Sequence, residues 1–255
     1  MSDMVDQALV SPRYLAGPGD PAWVTVPLHV LSGWSALEAP LIPHVVLTGP
    51  LQKSRLRLEP VLQGPWWHLS HRDGRVGSDW CASFDGSTPV ELIAAVTDAL
   101  THPGYHLQQR VDPYEPLQQA GWDIDPSTGN FLSPDGRVQG TRRAFDGSRT
   151  WHVTASLYED DPLWHASLSS GTPMAVVAAF LQALADPEPV RRSSEQMAGF
   201  PRHGITLEWE QWPAERIARA LPERIDQLAV RRAVTSPPLP PAVGEGVAPA
   251  GRRLR

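Results

Sequence analysis

The stretch Trp80-Cys-Ala-Ser-Phe-Asp-Gly-Ser-Thr-Pro-Val90 returns 84 residues later as Trp164-His-Ala-Ser-Leu-Ser-Ser-Gly-Thr-Pro-Met174. Between residues 67 and 103, 12 of 37 ungapped positions are identical at this offset, and they include a Trp-His pair, a second tryptophan and the Thr-Pro pair. Self-similarity at a fixed offset is the signature of a structural repeat. The chain therefore contains two copies of one unit of roughly 70 residues.

Upstream of each Thr-Pro pair the apolar residues alternate with polar ones, which is the period of a β-strand. Trp67 and Leu69 share one face of a predicted strand, and Trp80, Ala82 and Phe84 share one face of the next. The second copy repeats this alternation. Each unit should therefore contain strands with an apolar face that packs on a core and a polar face that points outward.

The Thr-Pro pair predicts the start of a helix in each unit. Thr88 is a suitable N-cap, Pro89 suits the first turn, and Glu91 stands three residues after the cap. We expect a helix from about 89 to 101 and a matching helix after Thr172-Pro173. The predicted fold class is α+β, with two tandem β-β-β-β-α units whose antiparallel sheets are each covered by a helix.

The remaining segments give weaker patterns, and they complete the predicted division of the chain. Ala22-Trp-Val-Thr-Val26 suggests a strand, and Pro222 should break or kink an amphipathic helix that begins near Pro213. The predicted parts are a leader at 1–30, a first repeat at 31–105, a second repeat at 106–190, a connector and helix at 191–235, and a disordered tail at 236–255.

Composition restricts where the protein can act. The net charge of −6 provides no general basic field, so binding to a polyanion would need a local patch. The N-terminus lacks the apolar segment of a signal peptide, and no run of 18 apolar residues is present. We expect a cytoplasmic protein that does not bind membranes.

The sequence lacks the motifs that mark common catalytic sites. No nucleophile elbow, Walker A loop or Gly-x-Gly-x-x-Gly is present. The pairs His68/His71 and His102/His106 lack an acidic or cysteine partner at ligand spacing, and the only cysteine, Cys81, is replaced by His165 in the second copy. We therefore predict a protein that is not an enzyme and that uses no metal or cofactor.

The outward face of the predicted sheets is the candidate binding surface. Arginine, lysine, histidine and hydroxyl side chains on an open sheet can follow a phosphate backbone. Trp66 is out of phase with Trp67 and is the candidate for an exposed, base-stacking aromatic. The predicted nucleic-acid-binding residues are Lys53, Arg55, Arg57, Trp66 and His68 in the first copy, and Arg137, Arg143 and His152 in the second.

The order of motifs over residues 31–190 resembles the actinobacterial domain of unknown function 317, also called the SPDY domain, which often occurs in tandem. The second copy carries the resemblance through Gly121-Trp122, Ser133-Pro-Asp-Gly-Arg137, a Trp-His strand, Trp-x-Ala-Ser and Thr172-Pro173. Gly136 stands where the name-giving tyrosine would be, and the first copy has Thr48-Gly-Pro-Leu-Gln52 instead. The resemblance implies the repeat boundaries and no particular chemistry.

Two functional hypotheses follow. The order β-β-β-β-α is similar to that of PC4-like and Whirly proteins, which suggests single-stranded DNA as the ligand of the outward faces. The alternative is a protein–protein adaptor, supported by the acidic net charge, the helix near 213–234 and the arginine-rich tail. A small-molecule pocket between the two units is a third possibility.

Overall fold

The computed structural model describes residues 3–36, 45–74, 78–104, 111–145, 148–158 and 161–235. The protein has a mixed α+β fold with antiparallel sheets, as predicted. The strands are β1 (Met4–Ser11), β2 (Ser35–Ala36), β3 (Val45–Thr48), β4 (Ser54–Leu58), β5 (Trp67–His71), β6 (Trp80–Phe84), β7 (Asp123–Ile124), β8 (Phe131–Leu132), β9 (Val138–Phe145), β10 (Ser148–Tyr158), β11 (Asp161–Leu168), β12 (Val190–Ser193) and β13 (Thr206–Pro213). The α-helices are α1 (Ala22–Ser32), α2 (Val90–Thr101), α3 (Glu115–Gln119), α4 (Met174–Ala185), α5 (Ser194–Met197) and α6 (Ala214–Thr235).

The strands of both repeats form one ten-stranded sheet with the order β2-β3-β4-β5-β6-β11-β10-β9-β8-β7. Five strands precede each repeat's helix in the part of the chain that the structure describes, and the outermost strands, β2 and β7, have two residues each. Short edge strands offer few unpaired backbone groups to another chain. The sequence predicted two separate sheets, but β6 and β11 pair and unite them.

The main core lies between this sheet and the helices α2 and α4. Trp67, Trp80, Trp151 and Trp164 are at most 4% exposed, which confirms the predicted inward face. The helices α2 and α4 pack against each other on the same side of the sheet. A buried aromatic side chain removes 150–250 Å² from water, so these tryptophans contribute a large part of the apolar burial.

The Thr-Pro pairs begin both helices, but the predicted threonine cap is wrong. Pro89 and Pro173 occupy the N-cap positions, and neither helix has a side-chain cap. Thr88 and Thr172 are instead buried, at 0% and 2% exposure. Glu91 does not complete a capping box, because its carboxylate binds Arg192.

The N-terminal segment, predicted to be a leader, forms part of a second sheet with the order β12-β1-β13. The predicted strand at 22–26 is helix α1. Asp20 Oδ1 accepts the backbone N–H of Ala22 at 2.9 Å, and Val24 and Leu28, four residues apart, form the buried face. Helical spacing of these two side chains therefore overrides the local alternation.

Helix α6 continues through Pro222 without the predicted break. Proline removes one N–H and leaves the carbonyl of residue 218 without its helical partner. Ala218 and Pro222 are both exposed, so water can bind that carbonyl. Arg224 and Leu228 hold the opposite side of the helix against the protein. The predicted tail at 236–255 and the predicted boundary at 105–106 fall outside the described residues.

Arg192 connects the second sheet to the first repeat. Its Nη1 and Nη2 atoms donate to the two Glu91 carboxylate oxygens at 2.7 Å each. Its remaining donors reach the carbonyls of Ala16, Gly17 and Arg191 at 2.8–3.1 Å. All five N–H groups of the guanidinium are therefore satisfied at a side chain that is 3% exposed.

The corresponding turns of the two repeats share a left-handed residue despite their different sequences. Gly136 has φ 71°, and Gln52, which is 84 residues earlier, has φ 56°. In the second repeat the Ser133 hydroxyl donates to Asp135 at 2.6 Å and accepts the Val138 N–H at 2.9 Å. Gly49 replaces that serine in the first repeat, so the fold alone holds Gln52 in this conformation.

We predict that Gln52→Gly stabilises the protein, because glycine adopts a left-handed conformation without the Cβ clash of other residues. The free energy of unfolding should rise by about 1 kcal/mol. Gly136→Ala is the matched control and should lower it by a similar amount, since a Cβ there meets nothing within 4 Å. Urea unfolding of both variants measures these changes, and destabilisation by Gln52→Gly would contradict the explanation.

We also predict that Glu91→Ala destabilises the protein by about 3–5 kcal/mol, because it leaves the Arg192 charge buried without a carboxylate. Glu115→Ala is the control: Glu115 is also in the first turn of a helix but is exposed. Its loss should cost less than about 1 kcal/mol. Equal effects in thermal or urea unfolding would show that the Arg192–Glu91 pair has no special weight.

Candidate nucleic-acid interface

A local two-fold axis runs through the junction of β6 and β11. Ser83 lies opposite Ser167, and their Oγ atoms are 2.8 Å apart. These serines occupy equivalent positions, since they are 84 residues apart. Equivalent residues can face each other across an antiparallel pair only at a two-fold axis. The two repeats therefore join symmetrically at their last strands.

The contacts on either side of this junction are also equivalent in position, although they differ in chemistry. The Cys81 N–H donates to Ser169 Oγ at 2.9 Å, and the His165 N–H donates to Asp85 Oδ2 at 2.9 Å. The His165 ring nitrogen Nδ1 also lies 2.9 Å from Asp85 Oδ2. The side-chain partner has changed from serine to aspartate, while the position of the bond has been kept.

The face of the ten-stranded sheet that points away from α2 and α4 carries a continuous row of polar side chains. Strand pairing places Arg57, His68, Ser83, Ser167, His152 and Thr141 in successive order across β4, β5, β6, β11, β10 and β9. None of the six is buried. Five strand spacings of about 4.8 Å give this row a length of about 24 Å. We call it the central row.

Basic side chains flank the central row in the first repeat. Arg55 and Arg57 are exposed on β4, as predicted from the alternation, and Lys53 is exposed just before this strand. Lys53 Nζ is 3.2 Å from Asp73, and Arg57 Nε is 3.3 Å from Glu59. Exposed pairs of this kind are worth only about 0–1 kcal/mol, so a polyanion can compete for both cations.

The second repeat supplies Arg143 and His152. Arg143 is exposed on β9, and His152 is half-buried on the neighbouring β10. Burial, followed by the positive charge of Arg143, lowers the pKa of His152. His152 is therefore neutral at pH 7. Its repeat equivalent, His68, is also half-buried, and its Nε2 atom lies 3.1 Å from the Pro65 carbonyl oxygen.

Trp66 is not the exposed aromatic that the sequence suggested. Its indole Nε1 donates to the Val61 carbonyl at 2.9 Å, and its ring is half-buried against the main core. The ring also covers Gly86, where an added Cβ would lie 2.5 Å from it. This packing occupies the indole, because Gly86 has no side chain that would keep it away.

Arg137 is apart from the central row. Its guanidinium donates to the carbonyl of Leu157 and packs against Gly204, where a Cβ would be 2.6 Å from it. The predicted equivalence with Lys53 holds for the sequence position but not for the surroundings. The structure thus brings Arg55, Arg57, His68, His152 and Arg143 onto one face and uses Trp66 and Arg137 for packing.

A cleft of about 1050 Å³ lies on the outer side of the helix layer. It is lined by small residues of both repeat helices, among them Ala94 and Ala95 of α2 and Ala178 and Ala179 of α4, and by residues of α6 and β12. The sequence suggested a pocket between the two units, but α6 and β12 were not part of that hypothesis. Their contribution depends on contacts between distant segments, for which the sequence holds no periodic signal.

No group of histidine, cysteine or acidic residues within the described part of the chain is arranged to hold a metal ion. Among the described helices, none combines the length and the apolar character needed to cross a membrane.

Two segments, residues 48–104 and 132–190, match the SPDY domain, described as a domain of unknown function (DUF317). The two matches support the tandem repeat found at the 84-residue offset. They begin near β3 and at β8 and end shortly after α2 and α4. Comparison with curated proteins and with solved structures gave no match. The family description assigns no activity, so the function must be argued from the residues themselves.

Proposed function

We propose that this protein is a non-catalytic nucleic-acid-binding protein that holds a phosphate backbone across the open face of its ten-stranded sheet. The observation that carries this proposal is the β6–β11 junction, because it makes one continuous surface from the polar faces of both repeats. Without the junction, each repeat would offer only a short basic strip. With it, arginines stand at both ends of a polar row about 24 Å long.

The chemistry of the row suits phosphate better than bases. Arg55, Arg57 and Arg143 supply charge, and the hydroxyls of Ser83, Ser167 and Thr141 can donate to phosphate oxygens. Trp66 packs on Gly86, so base stacking on this ring is not part of the proposed binding. We therefore expect salt-dependent binding with little sequence preference.

Single-stranded DNA is the ligand that we propose first. The support is the analogy with PC4-like and Whirly proteins, in which a run of antiparallel strands is followed by a helix. A flexible single strand can also follow a twisted sheet, whereas a duplex must bend to do so. Duplex DNA of equal length is the informative comparison in the experiments below.

A protein–protein adaptor is the second candidate. The observation that favours it is the exposure of Val230 and Val234 on α6, at 63% and 83%. These side chains lie on a different element from the central row. A variant with both valines changed to serine would weaken a protein partner and leave oligonucleotide binding unchanged.

We predict that the double variant Arg55→Glu/Arg57→Glu abolishes oligonucleotide binding, because it reverses two charges beside the central row. For the unchanged protein, contacts from three arginines to a single strand give a slope of about −2 for log K against log salt concentration. Fluorescence anisotropy with a labelled oligonucleotide at several salt concentrations measures both effects.

The matched control for this experiment is Arg202→Glu/Arg219→Glu, which makes the same change in net charge at two exposed arginines away from the ten-stranded sheet. It should bind as the unchanged protein does. The proposal is rejected if the unchanged protein shows no salt-dependent binding at micromolar concentration. It is also rejected if both double variants lose binding equally, because the sheet face would then have no special role.

We predict that oligonucleotide affinity rises as the pH falls from 7.5 to 6. The pKa of His152 is lowered in the free protein, so the ring is neutral at pH 7, and a phosphate nearby would favour its protonated form. Binding should therefore take up a proton. The variant His152→Gln should show a smaller increase in affinity over this range, and an unchanged pH profile would exclude His152 from the interface.

A further inference from the structure

A small pocket lies away from the ten-stranded sheet, where β12 and β13 meet α6 and α1. It has a volume of about 390 Å³ and is lined by two tryptophans and four arginines: Trp23, Trp212, Arg191, Arg216, Arg224 and Arg231. We call it the Trp212 pocket. A volume near 400 Å³ falls in the lower part of the range of small-molecule sites.

The charge of the Trp212 pocket is opposite to that of the whole chain. Its lining contains four arginines and one carboxylate, Glu223, whereas the protein has a net charge of −6. Within the described residues, Arg191, Arg216 and Arg231 have no carboxylate oxygen within 4 Å. The neighbouring charge of Arg216 helps to lower the pKa of Arg191, after burial as the larger cause. Like charges held together in this way favour an anionic ligand.

Cation–π contacts hold the guanidinium groups in place. The Cζ atoms of Arg191 and Arg216 lie 4.1 and 3.6 Å from the ring centroid of Trp212. The indole Nε1 donates to Glu210 at 2.6 Å, which fixes the ring. Because these side chains are already ordered, a ligand loses less conformational entropy when it binds them.

Arg224 adds a buried donor that is not yet used. This side chain belongs to a residue that is only 9% exposed; its Nη2 atom donates to Asp98 at 2.9 Å, and its Cζ atom lies 5.2 Å from the ring of Trp23. Its Nε atom is buried and has no hydrogen-bond partner among the described residues. A buried N–H without a partner is costly, and a ligand oxygen would remove that cost.

We propose that the Trp212 pocket binds the phosphate group of a small phosphorylated molecule. Several guanidinium groups around one pocket match the geometry and charge of phosphate, which offers at least three acceptor oxygens. The two indoles beside the arginines provide flat apolar surfaces for an attached planar group. This site does not rest on the proposed sheet-face function, since it uses different strands and a different side of the molecule.

Calorimetric titration of the full chain with inorganic pyrophosphate tests the proposal, and titration with ADP shows whether an attached base adds affinity. We expect both ligands to bind, and Arg216→Gln and Arg191→Gln each to weaken binding about tenfold, as the loss of a charge-assisted hydrogen bond predicts. Arg216→Lys keeps the charge but loses the planar contact with Trp212, so it should bind with intermediate affinity.

Arg219→Gln is the matched control, because Arg219 is an exposed arginine of α6 that does not line the pocket. It should bind pyrophosphate as the unchanged protein does. Absence of binding by the unchanged protein at millimolar pyrophosphate overturns the proposal, as does equal weakening by Arg219→Gln. The Arg55→Glu/Arg57→Glu variant separates the two functions: it should lose oligonucleotide binding and keep pyrophosphate binding.

Discussion

The antiparallel pairing of β6 with β11 is the constraint on which the rest of the structure depends. These strands end the two repeat sheets, and each would otherwise carry an open edge of backbone donors and acceptors. Pairing satisfies those groups and places Ser83 opposite Ser167 at the two-fold axis. Because α2 and α4 follow these strands directly, the same axis brings the two helices together over the middle of the sheet. One contact between strands thus determines both the shared core and the continuous outer face.

Much of this fold could be predicted from the sequence, because it repeats local patterns. The burial of the tryptophans, the alternation on β4 and the starts of α2 and α4 all follow from periodicity within a few residues. The β6–β11 junction could not be predicted, since the alternation of a strand does not identify its neighbour. The strand at 22–26 was wrong because five alternating residues fit a helix equally well when two of them, four apart, pack on the core.

The two repeats differ most where their side chains do not reach the core. Gln52 keeps the left-handed turn of Gly136 although it lacks the favourable residue, and Asp85 keeps the hydrogen-bonding position of Ser169 with a charged group. Backbone geometry is therefore more constant between the copies than side-chain chemistry. The candidate site shows the same contrast, because the basic strand of the first repeat has only Arg143 as its exposed counterpart across the sheet. Its eight predicted residues could be proposed from alternation, but the packing of Trp66 and Arg137 depends on Gly86 and Gly204, which lie far away in the sequence.

The two proposed sites lie on separate parts of the protein, and Arg192 explains how the second is held in place. Successive residues of a strand point to opposite faces, so the buried position of Arg192 directs Arg191 toward Trp212. The bidentate contact of Arg192 with Glu91 anchors β12 to α2 at one point. The exposed arginine therefore inherits its position from the buried one. Loss of the Glu91 carboxylate should disturb the Trp212 pocket as well as the stability of the fold, whereas the central row, held by β6 and β11, should keep its geometry.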